Sequence, residues 1–301
     1  MRVPRVARLP FPFSAPTVPG SVEPLAPKRT LGADYDSDWA RRFPARFART
    51  VLLETLVRPA VAALGAPERD GIDRLAGLGE GPVIFAGNHH SHLDTPVVLT
   101  SIPEPWRYKV FVGAAADYFF RTRLTSAASA LVIGAIPIER SKVTRRSADQ
   151  AAALIADGWS MLIFPEGGRS PDGWGQPFRG GAAYLSSRCD VPVVPLHIEG
   201  TAKILRKGAK RPTPAAVRVT YGMPLHPEPD ESASRYAERI ERSVAELADE
   251  ATTDWWQARQ RAAAGTTPPL TGPNAPAWRR AWALGDRSRK RRRQSRAWPK
   301  L

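Results

Sequence analysis

The sequence contains almost no cysteine. Cys189 is the single cysteine among 301 residues, so no disulfide can form within the chain. A disulfide-stapled secreted scaffold is therefore excluded, whereas a reducing cytosol is compatible with the composition. No neighbouring residue supplies a base that would activate the Cys189 thiol, and we interpret this thiol as inert.

Long apolar runs are also missing. The longest central uncharged run, 124–138, has 15 residues, whereas a membrane-spanning helix needs about 20 predominantly apolar residues. Prolines interrupt the apolar residues that follow Arg2, Arg5 and Arg8, and the start of the sequence is therefore a poor signal peptide. We expect a cytoplasmic protein without a spanning segment.

Acidic residues are outnumbered, and the net charge of +15 is concentrated at the two ends. Residues 286–301 hold eight basic residues and one acidic residue, and residues 1–50 hold nine basic and four acidic ones. This distribution favours a tail that meets an anionic surface over a domain with a basic groove. The run RSRKRRR (287–293) is a solvated tail, an attachment to anionic lipid headgroups or a nucleic-acid contact. No base-reading motif or interleaved aromatic residues accompany the run, so we expect no nucleic-acid partner.

Four parts follow one another along the chain. We predict an irregular N-terminal arm at 1–37, a helical element at 38–80, the main folded domain at 81–263, and a Pro- and Trp-containing linker with a basic tail at 264–301.

Apolar residues recur at spacings of three and four between residues 38 and 64, which predicts a helix. The apolar stripe includes Phe43, Phe47 and Val51, and arginines lie off it. This pattern fits an ordinary core helix, or an amphipathic helix in a membrane interface whose arginines meet lipid headgroups. Pro59 is a potential break in the helix.

From residue 81 onward, short apolar runs alternate with helical patterns. We predict strands at 82–86, 108–112, 131–138, 160–164, 191–198 and 216–221, and helices at 94–100, 117–127, 144–157, 178–188 and 231–262. The alternation predicts an α/β fold with a central, mostly parallel sheet flanked by helices. The N-terminal helical element and a disordered basic tail complete this picture.

Three of the five histidines lie in the segment NHHSHLD (88–94), directly after the first predicted strand. Ligands bind at this end of the strands in open α/β sheets. His89 and Asp94 can meet if His89 lies in the turn and Asp94 begins the next helix. A histidine held by a carboxylate is an oriented general base for a hydroxyl, although a buried pair of this kind can also be purely structural.

The same segment matches the opening of a metallo-β-lactamase-type zinc motif through His90, His92 and Asp94. That motif has a further histidine directly after the aspartate, where this chain has Thr95. We therefore expect no metal site, and we interpret His90 and His92 as packing or hydrogen-bonding residues beside the base.

Three further blocks stand out: GAIPIER (134–140) and FPEGGRS (164–170) each end a predicted strand, and VPVVPL (191–196) is itself an apolar strand that prolines interrupt. Arg140 and Arg169 stand at strand ends on one side of the sheet, where two guanidinium groups could clamp a phosphate. Taken singly, each arginine is more often a solvated surface charge. The glycines of the second block allow backbone N–H groups to approach an anion closely.

Together and in this order, the four blocks resemble the glycerolipid acyltransferase family, whose best-known activity is that of 1-acylglycerol-3-phosphate acyltransferase. The resemblance covers about residues 81–225. It implies that His89 is the catalytic base and that Asp94 orients it. It also implies a glycerol-phosphate site, formed by Arg140, Glu166, Gly167 and Arg169.

The family resemblance implies transfer of a fatty acyl group from acyl-CoA or acyl-carrier protein to the hydroxyl of a lysophospholipid, without a cofactor. It also implies a peripheral enzyme on an anionic membrane surface, which we place at the inner face of the cell membrane. The first expected acceptor is 1-acylglycerol 3-phosphate.

Two departures keep the acceptor open. Gly168 replaces the threonine usual in the family, and the lysine that many members carry after the first helix is missing, with none between Lys109 and Lys142. Glycerol 3-phosphate or another lysolipid is the alternative acceptor. Two alternatives of another class are a metal-dependent hydrolase and a non-catalytic protein that binds membrane or nucleic acid.

Overall fold

The structure, a computed structural model, describes residues 31–139, 145–170, 173–205 and 211–272. Arg140, most of the predicted N-terminal arm and the basic run of the tail lie outside the described residues. Seven strands form one sheet in the order β1-β7-β6-β2-β5-β3-β4. They are β1 (Pro67–Asp70), β2 (Ile84–Gly87), β3 (Val110–Ala115), β4 (Ala135–Ile138), β5 (Ser160–Ile163), β6 (Val193–Glu199) and β7 (Val217–Tyr221).

Helices cover both faces of this sheet. They are α1 (Ala45–Leu52), α2 (Arg58–Gly65), α3 (Asp94–Ser101), α4 (Ala116–Phe119), α5 (Arg123–Ile133), α6 (Arg145–Ala156), α7 (Gly181–Cys189), α8 (Thr201–Ile204), α9 (Ala233–Thr252) and α10 (Trp255–Ala264). Strands β6 and β7 pair antiparallel, and the other neighbouring strands pair parallel. The predicted α/β fold with a mostly parallel sheet is confirmed.

Two hydrophobic cores lie on opposite faces of the sheet because successive side chains of a strand point to opposite sides. On β2, Phe85 packs into one core with Val98 of α3, whereas Ile84 packs into the other with Leu185 of α7 and Ile240 of α9. All four residues of β2 are buried. This double burial explains why the central strands are apolar without alternation.

The predicted strand at 131–138 is wrong in its first half. Helix α5 continues to Ile133, and Gly134 ends it in the left-handed conformation, with a φ of 64°. A glycine is the residue best suited to this position at a helix end. Strand β4 then begins at Ala135, so the apolar run that the sequence presents without interruption divides at Gly134 between two elements.

The helix predicted at 231–262 is two helices. The side chain of Asp254 accepts a hydrogen bond from the N–H of Gln257, and this cap begins α10. Trp255 and Trp256 therefore start a new helix rather than end the old one. The predicted stripe through Tyr236 and Ile240 is buried.

Strand β1 was not predicted from the sequence. It pairs with β7 at the edge of the sheet, and three of its four residues are exposed. An exposed edge strand needs no apolar alternation, so its sequence, PERD, carries no strand signal. The sheet therefore begins before residue 81, the predicted start of the main domain.

The N-terminal helical element is continuous from Ala45 to Gly65 because a π-helical turn, Leu53–Val57, joins α1 to α2. Pro59 lies in the first turn of α2 and does not end the helix. Among the described helices, none has the length and apolar character that crossing a membrane requires.

The two faces of this element are not those that the apolar stripe predicts. Arg49 is buried together with Leu53 and Val61, whereas Phe43 and Phe47 are 78% and 62% exposed. The Arg49 guanidinium donates to the carbonyl of Ile133, at the end of α5 where backbone oxygens lack helical partners. Burial lowers the pKa of Arg49 to about 10, which leaves it charged at neutral pH.

Candidate active site

The candidate site lies where β2 ends and α3 begins. His89 follows β2 by two residues, and Asp94 is the first residue of α3. The Nδ1 atom of His89 is 2.8 Å from Oδ2 of Asp94. Sequence reasoning therefore placed the pair correctly, with the histidine in the turn and the aspartate at the start of the helix.

Asp94 is buried, and its carboxylate is surrounded by hydrogen-bond donors. Its Oδ2 accepts the backbone N–H groups of His90 and Ser91 at 2.7 and 2.8 Å, in addition to facing His89. Its Oδ1 accepts the hydroxyl of Thr201. A carboxylate acceptor at Nδ1 assigns the ring proton of neutral His89 to that nitrogen, which leaves the lone pair on Nε2. A base with a free Nε2 is the arrangement that proton abstraction requires.

The block FPEGGRS holds His89 from the other side. The rings of Phe164 and His89 stack at 4.3 Å between centroids. Oε1 of Glu166 accepts the backbone N–H of His89 at 2.8 Å, and the N–H of Ser170 donates to the carbonyl of His89 at 2.8 Å. His89 is thus fixed through its ring and both backbone groups.

Glu166 lies beneath the site. Its side chain is 1% exposed, and Oε2 accepts the backbone N–H of Gln176 at 3.0 Å. Both carboxyl oxygens are therefore engaged by backbone donors. The structure shows Glu166 in contact with the backbone of His89, and the substrate-binding role that the family resemblance implies for it stays a prediction.

A cavity of about 830 Å³ opens beside His89, and its lining holds two chemically different sets of residues. The charged and polar set includes His89, His92, Glu139, Arg169, Gln176 and Arg179. The apolar set includes Leu53, Val57, Leu99, Val112, Val132 and Ile133. Gly167 and Arg169 of the predicted site line this cavity, and Arg140 lies outside the described residues next to Glu139.

Sequence reasoning missed Arg179, the second arginine of the cavity wall. Gly167 adopts a left-handed φ of 72°, and a Cβ there would lie 2.9 Å from the Arg179 guanidinium carbon. A glycine at 167 is therefore needed both for the backbone and for the approach of Arg179. The signal that could have found Arg179 is the cation in Phe178-Arg179-Gly180, directly before α7.

His92 is a further member of the cavity wall. Its Nε2 is 3.1 Å from the hydroxyl of Tyr118, and the two rings stack at 5.3 Å. Burial, and then the charge of Arg169, lower the pKa of His92 to about 4, so its ring is neutral near pH 7. Burial also lowers the pKa of His90.

In the zinc-motif interpretation, Asp94 would be a metal ligand. Its two oxygens instead accept the hydrogen bonds given above, and His92 faces Tyr118. Within the described ranges, no group of three or more His, Cys, Asp or Glu side chains has an arrangement that could hold a metal ion.

The chain is similar to known acyltransferases. A family model described as Acyltransferase matches residues 66–199. A chloroplastic 1-acyl-sn-glycerol-3-phosphate acyltransferase of Brassica napus is 30% identical over 43% of this chain and 36% of its own length. The alpha form of the human enzyme of that name is 25% identical over 58% of this chain and 61% of its own length.

The crystal structure of the 1-acyl-sn-glycerophosphate acyltransferase PlsC from Thermotoga maritima has the same fold. Its TM-score is 0.57 at 21% identity, and the match covers 73% of this chain and 85% of that one.

The resemblance to the glycerolipid acyltransferase family that the four sequence blocks predict is confirmed by these matches. The matched segment spans about a third of the length of the first plant relatives. Within the segment that matches the family model, the His89–Asp94 pair contacts the block FPEGGRS.

Burial raises the pKa of Glu166 to about 7, although the N–H groups of His89 and Gln176 favour the charged form. An unfolded carboxyl group has a pKa near 4.5. Between these values the folded protein holds a proton that the unfolded chain has lost. The free energy of unfolding that depends on Glu166 therefore falls as the pH rises from about 4.5 to about 7.

We predict that Glu166→Gln removes this pH dependence. Relative to the variant, the wild type should lose about 3 kcal/mol of unfolding free energy between pH 4.5 and pH 8, measured by urea denaturation. Burial lowers the pKa of His92 and His197 to about 4, which gives the opposite slope below pH 6.5 in both proteins and cancels in the difference. A constant difference across this range would show that Glu166 titrates at its ordinary pKa.

Proposed function

We propose that this protein transfers a fatty acyl group from an acyl thioester to the hydroxyl of a lysophospholipid, with 1-acylglycerol 3-phosphate as the principal acceptor. The observation that carries this proposal is the oriented His89–Asp94 pair beside a cavity lined by both arginines and apolar side chains. The arginines suit a phosphate, and the apolar side chains suit an acyl chain.

The proposed reaction is direct transfer in one active site. Nε2 of His89 removes the proton of the acceptor hydroxyl while that oxygen attacks the thioester carbonyl carbon. The new C–O bond gives a tetrahedral oxyanion, and its collapse breaks the C–S bond. The imidazolium then returns the proton to the departing thiolate. The donor thioester is acyl-CoA or acyl-carrier protein.

The catalytic base is tested by substitution of each histidine near Asp94. His89→Ala should lower the rate of acyl transfer by about 10²- to 10⁴-fold, as expected for loss of a general base. Asp94→Asn should cost nearly as much because the imidazole loses its orienting carboxylate. His90→Ala is the matched control and should cost far less. If the His90→Ala variant were as inactive as His89→Ala, the assignment of His89 as the base would be wrong.

For the acceptor phosphate, we propose a clamp by Arg169 and Arg179, the two arginines of the cavity wall. Arg140, implied by the family resemblance, is a third candidate. A planar guanidinium donates two parallel hydrogen bonds to a phosphate, which an ammonium group cannot do. With Gly168 in place of the usual threonine, these cations carry more of the acceptor recognition.

Replacing Arg169 or Arg179 by alanine should raise the apparent KM for the phosphate-bearing acceptor by about 10- to 100-fold, the effect of one lost charge-assisted contact. The KM for acyl-CoA should change much less, and lysine should restore only part of the affinity. Arg218→Ala is the control, because Arg218 lies on β7, pairs with Glu68 and is not part of the cavity lining. Equal increases in KM for both substrates would contradict the proposed phosphate clamp.

A panel of candidate acceptor substrates identifies the acceptor. Labelled long-chain acyl-CoA is offered with 1-acylglycerol 3-phosphate, with glycerol 3-phosphate and with lysolipids that lack a phosphomonoester. The proposal requires the fastest transfer to 1-acylglycerol 3-phosphate.

We further propose that the protein works as a peripheral enzyme on the cytoplasmic face of an anionic membrane. Phe43, which lies two residues before α1, and Phe47 of α1 expose most of their rings, whose centroids lie 6.4 Å apart. Leu56 is exposed in the π-helical turn that follows. Exposed aromatic and aliphatic side chains on one segment suit insertion among lipid headgroups. The basic run 287–293 would add attraction to anionic lipids.

These two contributions to membrane binding should respond differently to salt. Charge attraction weakens as the Debye length falls from about 10 Å at 0.1 M to about 3 Å at 1 M salt, whereas apolar insertion persists. We predict that the double variant Phe43→Ser/Phe47→Ser loses binding to anionic vesicles in 1 M salt, measured by sedimentation. Deletion of 286–301 should lower binding only at low salt.

Substitution of the exposed Met223 by serine is the matched control for lost apolar surface. The double serine variant keeps the buried residues Leu53 and Val61, which a truncation would remove from the core. Full sedimentation of the double variant in 1 M salt would place the apolar anchor elsewhere on the protein.

A further inference from the structure

Thr201 contacts the catalytic pair from a distant part of the chain. It is the first residue of α8, directly after β6, and it lies 107 positions after Asp94. It is 1% exposed, and its hydroxyl donates to Oδ1 of Asp94. His89 and two backbone N–H groups occupy the opposite oxygen, Oδ2. Thr201 therefore fixes the carboxylate oxygen that the catalytic turn does not hold.

The position of this hydroxyl is set by the backbone on either side. Gly200 adopts a φ of 88°, and a Cβ there would lie 1.9 Å from the carbonyl oxygen of Ala216. The chain therefore turns from β6 into α8 at a point where only glycine fits. Threonine is branched at Cβ, which restricts its χ1 angle and makes the hydroxyl a stiff donor.

Two more links join the catalytic turn to the segment that carries Thr201. The side chain of Asn88 donates to the carbonyl of Ile198 at 2.9 Å and accepts its N–H at 2.7 Å. The hydroxyl of Ser91 donates to the carbonyl of Leu205 at 3.0 Å. The turn that bears His89 and the end of β6 thus form one hydrogen-bonded unit.

We propose that Thr201 is a positioning residue of the dyad. Its hydroxyl fixes the plane of the Asp94 carboxylate, and this plane aims the His89 imidazole at the acceptor hydroxyl. Thr201 does not line the cavity, and its own proton stays in place during the reaction. The inference rests on the proposed acyl transfer, and it assigns Thr201 an effect on kcat rather than on substrate affinity.

The kinetic test compares Thr201→Val, which removes the hydroxyl at nearly constant volume, with Thr201→Ser, which keeps it. Thr201→Val should lower kcat by about 10- to 100-fold, the range seen when a partner that orients a functional side chain is lost. The KM values should stay within about twofold because the cavity wall is unchanged. Thr201→Ser should restore most of the lost kcat.

Thr220→Val is the matched control for loss of a buried threonine hydroxyl. Thr220 lies on β7, and within the described part of the chain its hydroxyl has no hydrogen-bond partner. This variant should keep the wild-type kcat. Thr201→Ala replaces the valine variant if valine prevents folding, since the comparison with Thr201→Ser still isolates the hydroxyl.

A mutant cycle with Asp94→Asn separates positioning from general stability. If Thr201 acts through Asp94, Thr201→Val should have little further effect on kcat in the Asp94→Asn background. An equal loss in both backgrounds would overturn the inference. A Thr201→Ser variant as slow as Thr201→Val, or a Thr201→Val variant with wild-type kcat, would overturn it as well.

A spectroscopic measurement without substrate keeps this inference distinguishable from the proposed function. In ¹⁵N-histidine spectra, the signal lost in His89→Gln identifies His89, and its shifts report which ring nitrogen carries the proton. The wild type should hold the Nδ1–H form, and Thr201→Val should shift the population toward the other tautomer. An unchanged tautomer together with unchanged line widths would overturn the positioning role, even if acyl transfer failed for another reason.

Discussion

The carboxylate of Asp94 is removed from water, and the donors that this burial demands organise the end of the sheet that holds the candidate site. An ionised carboxylate without such donors is very costly to bury. Here the donors come from the turn after β2, from the imidazole of His89 and from Thr201 after β6. Strands β2 and β6 are direct neighbours, with Gly87 paired to Leu196, so their carboxyl ends bring these groups within reach. The orientation of His89 by Asp94 therefore depends on the strand order, which places β6 beside β2.

A second buried acid holds the same histidine in a different way. Asp94 contacts the imidazole, whereas Glu166 contacts the backbone N–H of His89 and leaves the ring free to act. Phe164 covers one face of the ring, and Ser170 holds the His89 carbonyl. The segments 88–94 and 164–170 therefore form one structural unit, although 69 residues separate them in the sequence. This contact is the physical reason why the two blocks together indicate one site.

The sequence predicted most of the elements because the central strands are apolar and the helices have regular buried stripes. It failed where a single residue decides a boundary, as Gly134 does between α5 and β4 and as Asp254 does before α10. It also missed β1, whose charged residues need no apolar partner at the sheet edge. In each of these places the deciding interaction is a cap or a backbone pairing, which leaves little trace in hydropathy.

The candidate site was predictable to the extent that its residues are close in sequence. His89 and Asp94 lie in one turn, and their meeting follows from local geometry. Thr201 follows β6 and Arg179 precedes α7. Their places depend on the strand order and on the close approach that Gly167 allows. Glu166 was found by its motif, but its supporting position depends on burial, which no motif specifies.

The N-terminal helical element shows the same limit of sequence-based prediction, since Phe43 and Phe47 of its apolar stripe do not face the core. Arg49 lies on the buried face because the end of α5 presents backbone carbonyls that a guanidinium can satisfy. Because the face that carries Arg49 packs against α5, Phe43 and Phe47 remain on the outside, where their exposure to water is unfavourable. The same element places Leu53 and Val57 in the lining of the cavity. One continuous helix therefore carries both the exposed side chain of Phe47 and part of the apolar lining of the cavity. The proposed acyl transfer to a lipid needs this arrangement if its substrate enters from a membrane.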